Sequence, residues 1–154
     1  MTADESKEDY PRPDQLMPHG SAFVLLDQVL SCDGQSAVCR LKVDVQKSLG
    51  VRQDSVTALV ALEYIAQTAA VLGALQSSSR GTTPEPGFLL AVKKMQMFRR
   101  NFLAGETLLI TVKLDCHQES LRVFIAELRS ARDGQLLVSG EISIYVSADL
   151  NQIG

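Results

Sequence analysis

Glu63 is the only ordinarily charged residue between Ser55 and Ser79, the most apolar stretch of the chain. It lies in "ALVALEYIAQTAAVLGAL", residues 58–75. An ionised carboxylate is almost never fully buried unless paired. Gln67 follows four residues later, so the two share one face of a helix. Two readings stay open. In one, Gln67 simply hydrogen-bonds Glu63, or the carboxylate reaches solvent. In the other, Glu63 is a carboxyl of raised pKa in a poorly hydrated site, able to hold a proton near neutral pH and donate it.

A second candidate is His19, in "LMPHGSAFVLLDQV". Pro18 fixes its own φ and restricts Met17, while Gly20 permits a close turn. Such a turn places an imidazole; a surface loop histidine is the plainer alternative. The third feature is "VKKMQMFRR", where Lys93, Lys94, Arg99 and Arg100 interleave with Met95, Met97 and Phe98. It reads either as a strand edge guarded by charge or as a local basic patch for an acidic partner. His117, at a turn in "DCHQES", is expected to be exposed and structural.

Other chemistries find no support. The net charge of −3 offers no basic field for nucleic acid. Cys32, Cys39 and Cys116 form no C-x-x-C pair and no metal-like spacing with the histidines. Three is an odd number, against a disulfide framework, so reduced thiols in a cytoplasmic protein are expected. No phosphate-binding loop, dinucleotide fingerprint, zinc spacing or serine elbow is present. "MTADESKEDYPRPDQ" lacks the pattern of a signal peptide. Residues 1–14 read as a flexible acidic tail, 15–147 as a single domain, and 148–154 as a C-terminal tail.

The elements that must position these groups follow from periodicity. "AFVLLDQVLSC" and "SAVCRLKVDV" read as strands joined at Asp33-Gly34, a hairpin signal. The apolar run around Glu63 reads as a long helix. It approaches the length of a membrane span, but Glu63, Gln67 and Thr68 at its middle are costly in lipid, which favours a buried helix of a soluble protein. Four further strands follow: "GFLLAVKKMQMF", "LLITVKLDC", "LRVFIAELRSA" and, after Asp133-Gly134, "LLVSGEISIYV". Strands and helix do not alternate, which excludes a doubly wound parallel sheet and points to α+β. A helix apolar almost all round must be buried almost all round. One sheet covers one side of it, so either a curved sheet with a second copy or further burial within one chain must cover the rest.

Three segments in order resemble the hotdog-fold 3-hydroxyacyl-acyl-carrier-protein dehydratases. "LMPHGSAFVLLDQV" is similar to that family's Leu-Pro-His…Pro-Phe-Leu-Leu-Val-Asp-Arg-Val segment. "LEYIAQTAAVLGAL" is similar to its Glu-Ala-Met-Ala-Gln-Ala-Ala-Gly helix. "FRRNFLAGETLLITVKL" is similar to its Phe-(Lys/Arg)-x-x-Val-x-Pro-Gly-Asp-x-Leu strand. The Glu-Tyr-(Ile/Met)-Ala-Gln form, with "GFLL" beginning the next strand, resembles most the dehydratase-like proteins of aryl polyene clusters. Where the fatty-acid enzymes have Gly-His-Phe-Pro…Pro-Gly, this chain has "LGVRQDSVTALVALE", with Ala58 at the position of that glycine.

The resemblance implies a hotdog fold: a long central helix wrapped by a curved antiparallel sheet of about six strands, as a homodimer or mixed hotdog assembly. It implies His19 and Glu63 as the catalytic pair, facing each other across a subunit interface. It places Gln67 beside Glu63 and the amide near Ala58 on the substrate side. The implied reaction is loss of water from a 3-hydroxyacyl thioester, without a cofactor, the substrate riding on the phosphopantetheine of an acyl carrier protein. Lys93, Lys94, Arg99 and Arg100 would meet that acidic carrier. A hotdog thioesterase and a non-catalytic hotdog subunit are the competing functions.

Overall fold

The computed structural model describes residues 9–17, 23–46 and 54–146. The expectations for His19 and its flanking Pro18 and Gly20, for the pre-helix stretch 47–53, and for tail residues 1–8 and 147–154 lie outside the described residues.

The chain begins its described part with Tyr10 against the sheet and a short helix α1 (Pro13–Leu16). Proline sits at N1, where no amide partner is lost. Tyr10 donates its hydroxyl to the Cys32 carbonyl at 3.3 Å and accepts the Cys32 amide at 3.1 Å. Residues 10–14 therefore belong to the fold, a correction to the expectation of a flexible tail through residue 14. Tyr10 finds its partners twenty-two positions away, beyond the reach of a compositional argument.

Strands β1 (Gln28–Cys32) and β2 (Ser36–Lys42) form the expected hairpin. Asp33 Oδ1 accepts from the Gln35 and Ser36 amides and the Ser36 hydroxyl, and Gly34 takes the positive φ of 90° that the turn requires. β3 (Ser55–Thr57) runs into a single 3-10 turn, Ala58–Val60, and then the long helix α2 (Ala61–Ser79). Strands β4 (Gly87–Met97), β5 (Asn101–Leu103), β6 (Thr107–Gln118), β7 (Leu121–Ser130) and β8 (Leu136–Val146) complete the chain. Six strands make one antiparallel sheet in the order β1-β2-β6-β7-β8-β4, and β3 pairs with β5 in a small second ladder.

The alternation in the strands becomes a layered core. Cys39, Ile110, Leu128 and Val138 lie in register across four neighbouring strands, all buried on the helix side. Burial of each Leu or Ile contributes about 1.5–3 kcal/mol. The parallel row of Ala37, Val112, Ala126 and Gly140 is smaller, and the Met95 side chain lies over Gly140. Helix α2 packs chiefly on β6, β2 and β7 through Ala61, Tyr64, Ile65, Thr68, Val71 and Leu72. Tyr64 stacks on Phe102 of β5 with ring centroids 6.3 Å apart. The segment Ala58–Ser79 is long and apolar enough to cross a membrane, but its buried face belongs to this core.

One stripe of the helix stays uncovered by the described residues. Leu59, Glu63 and Ala70 are exposed, and Leu62, Ala66 and Gly73 are half-buried along the same face. β4, at the end of the sheet, is likewise exposed on both faces.

Candidate active site

Glu63 lies in the first turn of α2, on the uncovered stripe. Among the described residues it is exposed, which matches the reading in which the carboxylate reaches solvent. The polypeptide does hold it in place. Gln67 donates Nε2 to Glu63 Oε1 at 2.9 Å, the one-turn contact that the spacing predicts.

Gln67 does more than that spacing shows. Its Nε2 also donates to the Phe23 carbonyl at 2.8 Å, and its Oε1 accepts the Leu25 amide at 2.8 Å. The side-chain amide thereby pairs with the backbone of residues 23 and 25 as a neighbouring strand would. Gln67 is buried, with three bonds made, which answers how a polar group persists at that position. The segment so clamped begins four residues after His19 in the chain. Nothing local in sequence announces a contact between positions 23–25 and 67; the signal was a buried-looking glutamine one turn from a carboxylate.

Thr57 caps the start of the helical segment, its side chain accepting the Leu59 amide. Ala58 is buried, and its amide donates to the Arg100 carbonyl at 2.8 Å. This corrects the expected role of that amide as a substrate donor: the bond extends the β3–β5 ladder and occupies the hydrogen.

The four cations divide. Lys93 and Lys94 are exposed on β4, and Arg100 is exposed beside β5. Arg99 is spent internally: its guanidinium bonds Glu106 and lies 5.9 Å from the centre of the Phe102 ring. Glu106 also accepts the Leu103 amide. Arg99 is thus a structural residue, a correction to its expected membership of a free basic patch. His117 is exposed near the end of β6 opposite Arg122, as expected.

An open cleft of about 460 Å³ is bordered by Leu25, Leu41, Val43, Tyr64 and Gly105. Glu63 and Gln67 do not line it, but Leu25, whose amide Gln67 accepts, does. The Cys39 thiol is fully buried, and burial pushes its pKa up to about 12 against a weaker opposing hydrogen bond with Thr68. It is packing, not a nucleophile.

The family model for ApeP-like proteins, described as ApeP dehydratase, matches residues 11–154. No curated protein matches the chain. Among solved structures, the dehydratase heterocomplex ApeI:P from Xenorhabdus doucetiae aligns at 23% identity, with a TM-score of 0.85, over 94% of this chain and 97% of that one. A hypothetical thioesterase with coenzyme A from Streptococcus pneumoniae aligns at 10% identity, with a TM-score of 0.61, over 78% of this chain and 84% of that one. Zebra fish thioesterase superfamily member 2 aligns at 20% identity, with a TM-score of 0.61, over 80% of this chain and 82% of that one. At these identities the likeness is one of fold, and the fold is the hotdog.

Proposed function

The chain belongs to the ApeP-like dehydratase family, and from that premise we propose that it removes water from a 3-hydroxyacyl thioester carried by an acyl carrier protein. The product is the trans-2-enoyl thioester, in fatty-acid or aryl-polyene-type synthesis in the cytoplasm. The observation that carries this reading is the Gln67 clamp. One side chain bonds the Glu63 carboxylate and the backbone that leads directly from His19.

Neutral His19 takes the proton from the carbon next to the thioester carbonyl. Glu63, protonated, gives its proton to the 3-hydroxyl as the carbon–oxygen bond breaks. A carbon–carbon double bond forms and water leaves. The imidazolium and carboxylate then recover their protonation states by exchange with solvent. Each positioned acid or base contributes about 10²–10⁴-fold. The elimination moves protons and no net electrons, so it calls for no redox cofactor.

The exposed stripe around Glu63 suits a second hotdog subunit, which would exclude water from the site and strengthen its electrostatics. A similar structure solved as a heterocomplex supports the mixed assembly, of the homodimer and mixed forms that the sequence left open. With Arg99 engaged and the lysines standing on a free strand edge, Arg100 is the cation best placed for an acidic carrier. Its carbonyl holds Ala58, five residues and roughly 8 Å along the helix axis from Glu63.

A second reading is a non-catalytic hotdog subunit that supports a catalytic partner. The occupied Ala58 amide favours it. Incubation with a 3-hydroxyacyl-carrier-protein thioester, followed by mass analysis of the acyl group, separates the readings. Loss of 18 Da with the thioester intact supports dehydration. Release of free thiol without an enoyl product points to the thioesterase alternative, and enoyl formation that needs a second hotdog subunit and persists in Glu63→Gln and His19→Ala points to the non-catalytic role.

A further inference from the structure

The orientation of the Gln67 side-chain amide is forced by its neighbours. The Leu25 amide can only donate, so the atom that meets it at 2.8 Å is the Gln67 oxygen. The Phe23 carbonyl can only accept, so the atom that meets it at 2.8 Å is the nitrogen. Turning the amide over sets oxygen against oxygen and N–H against N–H. Gln67 is buried, so solvent does not make good either loss.

The amide nitrogen carries two hydrogens. One goes to the Phe23 carbonyl and the other to Glu63 Oε1, at 2.9 Å. Both donors are spent, and Gln67 turns no acceptor towards the carboxyl. Two of the three bonds that fix this arrangement go to backbone, so it holds whether Glu63 is charged or neutral. A carboxylic acid carries its proton on one oxygen and keeps the other as an acceptor. A proton on the oxygen that faces Gln67 meets an N–H head-on. A proton on the far oxygen leaves the Gln67 bond intact. Among the described residues that far oxygen accepts no hydrogen bond, and Glu63 is exposed on the open stripe of α2.

We infer that Gln67 is a positioning residue that decides which oxygen of Glu63 carries the proton. The neutral acid holds it on the oxygen turned away from Gln67, and that oxygen serves the substrate. This deepens the dehydratase reading above and rests on it. In the elimination the far oxygen gives its proton to the 3-hydroxyl, and the carbon–oxygen bond breaks with its electron pair staying on the departing water. The near oxygen keeps its N–H bond throughout. Solvent then returns a proton to the far oxygen. Gln67 itself neither touches substrate nor exchanges a proton. A glutamine that only clamped the backbone would need its bonds to residues 23 and 25 and not the third. Holding the carboxyl in one orientation matters because a slightly misplaced reacting group loses up to about 10²-fold in rate.

The test reads the hydrogen bond and the turnover separately. Glu63→Gln supplies a neutral isostere of the acid, with NH2 in place of the protonated oxygen. NMR on the isotopically labelled full chain measures scalar coupling across the hydrogen bond, from Gln67 Nε2 to the δ carbon at position 63. Coupling is expected in the wild type and again in Glu63→Gln, whose carbonyl oxygen turns towards Gln67. Coupling that is lost in Glu63→Gln would overturn the inference, because the neutral side chain would then face Gln67 with its donor side.

Turnover is measured with the 3-hydroxyacyl-carrier-protein thioester, and with a second hotdog subunit where one is needed. Gln67→Met removes both donors from a side chain of similar length. Its kcat per folded molecule is expected to fall about 10–10²-fold, with KM within about twofold of wild type. An unchanged kcat would overturn the positioning role. Should Gln67→Met fail to fold, Gln67→Glu takes its place: its carboxylate offers no donor and its acid form offers one. Relative to wild type at the same pH, its kcat per folded molecule is expected to rise as pH falls, and a ratio flat with pH would overturn the role. The coupling needs no substrate, so a wild type without turnover counts against the dehydratase reading and leaves the proton's place to the NMR result.

Discussion

The Gln67 amide nitrogen stands 2.9 Å from the Glu63 carboxylate and 2.8 Å from the Phe23 carbonyl. A single buried side chain thus ties the acid on α2 to the segment that follows His19. Replacing it tests whether that tie orients the site. Gln67→Leu orphans the Leu25 amide and the Phe23 carbonyl, each at about 1–3 kcal/mol. Denaturant titration should show that loss, with turnover falling further than the folded fraction explains. In Gln67→Glu the new carboxylate faces both Glu63 and a carbonyl oxygen. That variant should be destabilised at pH 7 and recover as acid protonates the carboxyl and restores a donor.

Cys39 supplies a chemical check on the core. With its thiol pushed up to about 12, only about one molecule in ten thousand carries the thiolate at pH 8. A disulfide reagent such as DTNB should modify the half-buried Cys32 and Cys116 in the native protein and Cys39 only on unfolding. The unfolded thiol titrates near 9.0 and the folded one near 12. The Cys39 contribution is therefore fully present below pH 9 and lost as pH rises towards 12. Cys39→Ala should remove that slope.

Gly140 is small because Met95 lies across it. A Cβ built there would sit 2.7 Å from Met95 Cε and 3.0 Å from Sδ. Gly140→Ala is expected to cost about 1–3 kcal/mol through crowding. Much of that should disappear in the background of Met95→Ala, because the obstructing atoms are gone. A double-mutant cycle reads the coupling; additive effects would mean that the two residues do not share this space.

Arg99 and Arg100 adjoin in sequence and should behave differently. Arg99→Ala breaks the bond to Glu106 and should lower stability by about 1 kcal/mol. Arg100→Glu should leave the melting temperature unchanged and weaken carrier-protein binding in a salt-dependent way. Calorimetry and binding titration on both variants check the division.

Much of the scaffold was legible because it is written in short-range patterns. The alternation in "SAVCRLKVDV" and "LLITVKLDC", and the Asp-Gly pairs at 33–34 and 133–134, mark strands and turns that the structure contains. The Glu63–Gln67 contact follows from one helical turn. What escaped the sequence depends on distance along the chain. The bonds from Gln67 to residues 23 and 25 span more than forty positions. Three-residue strands such as β3 and β5 are too short to show a period. Arg99 looked like its charged neighbours because its partner, Glu106, is brought close only by the turn after β5. The helix's composition allowed Glu63 either to reach solvent or to lie sheltered, and among the described residues it is exposed on the open stripe.

The most direct measurement is the rate of enoyl-thioester formation by wild type, Glu63→Gln and His19→Ala. It is made on the purified protein or, where a second hotdog subunit is required for turnover, on the reconstituted pair. Each substitution should lower the rate about 10²–10⁴-fold while the melting temperature of Glu63→Gln stays close to wild type. Undiminished enoyl formation in both variants would contradict a proton-transfer role for these two residues.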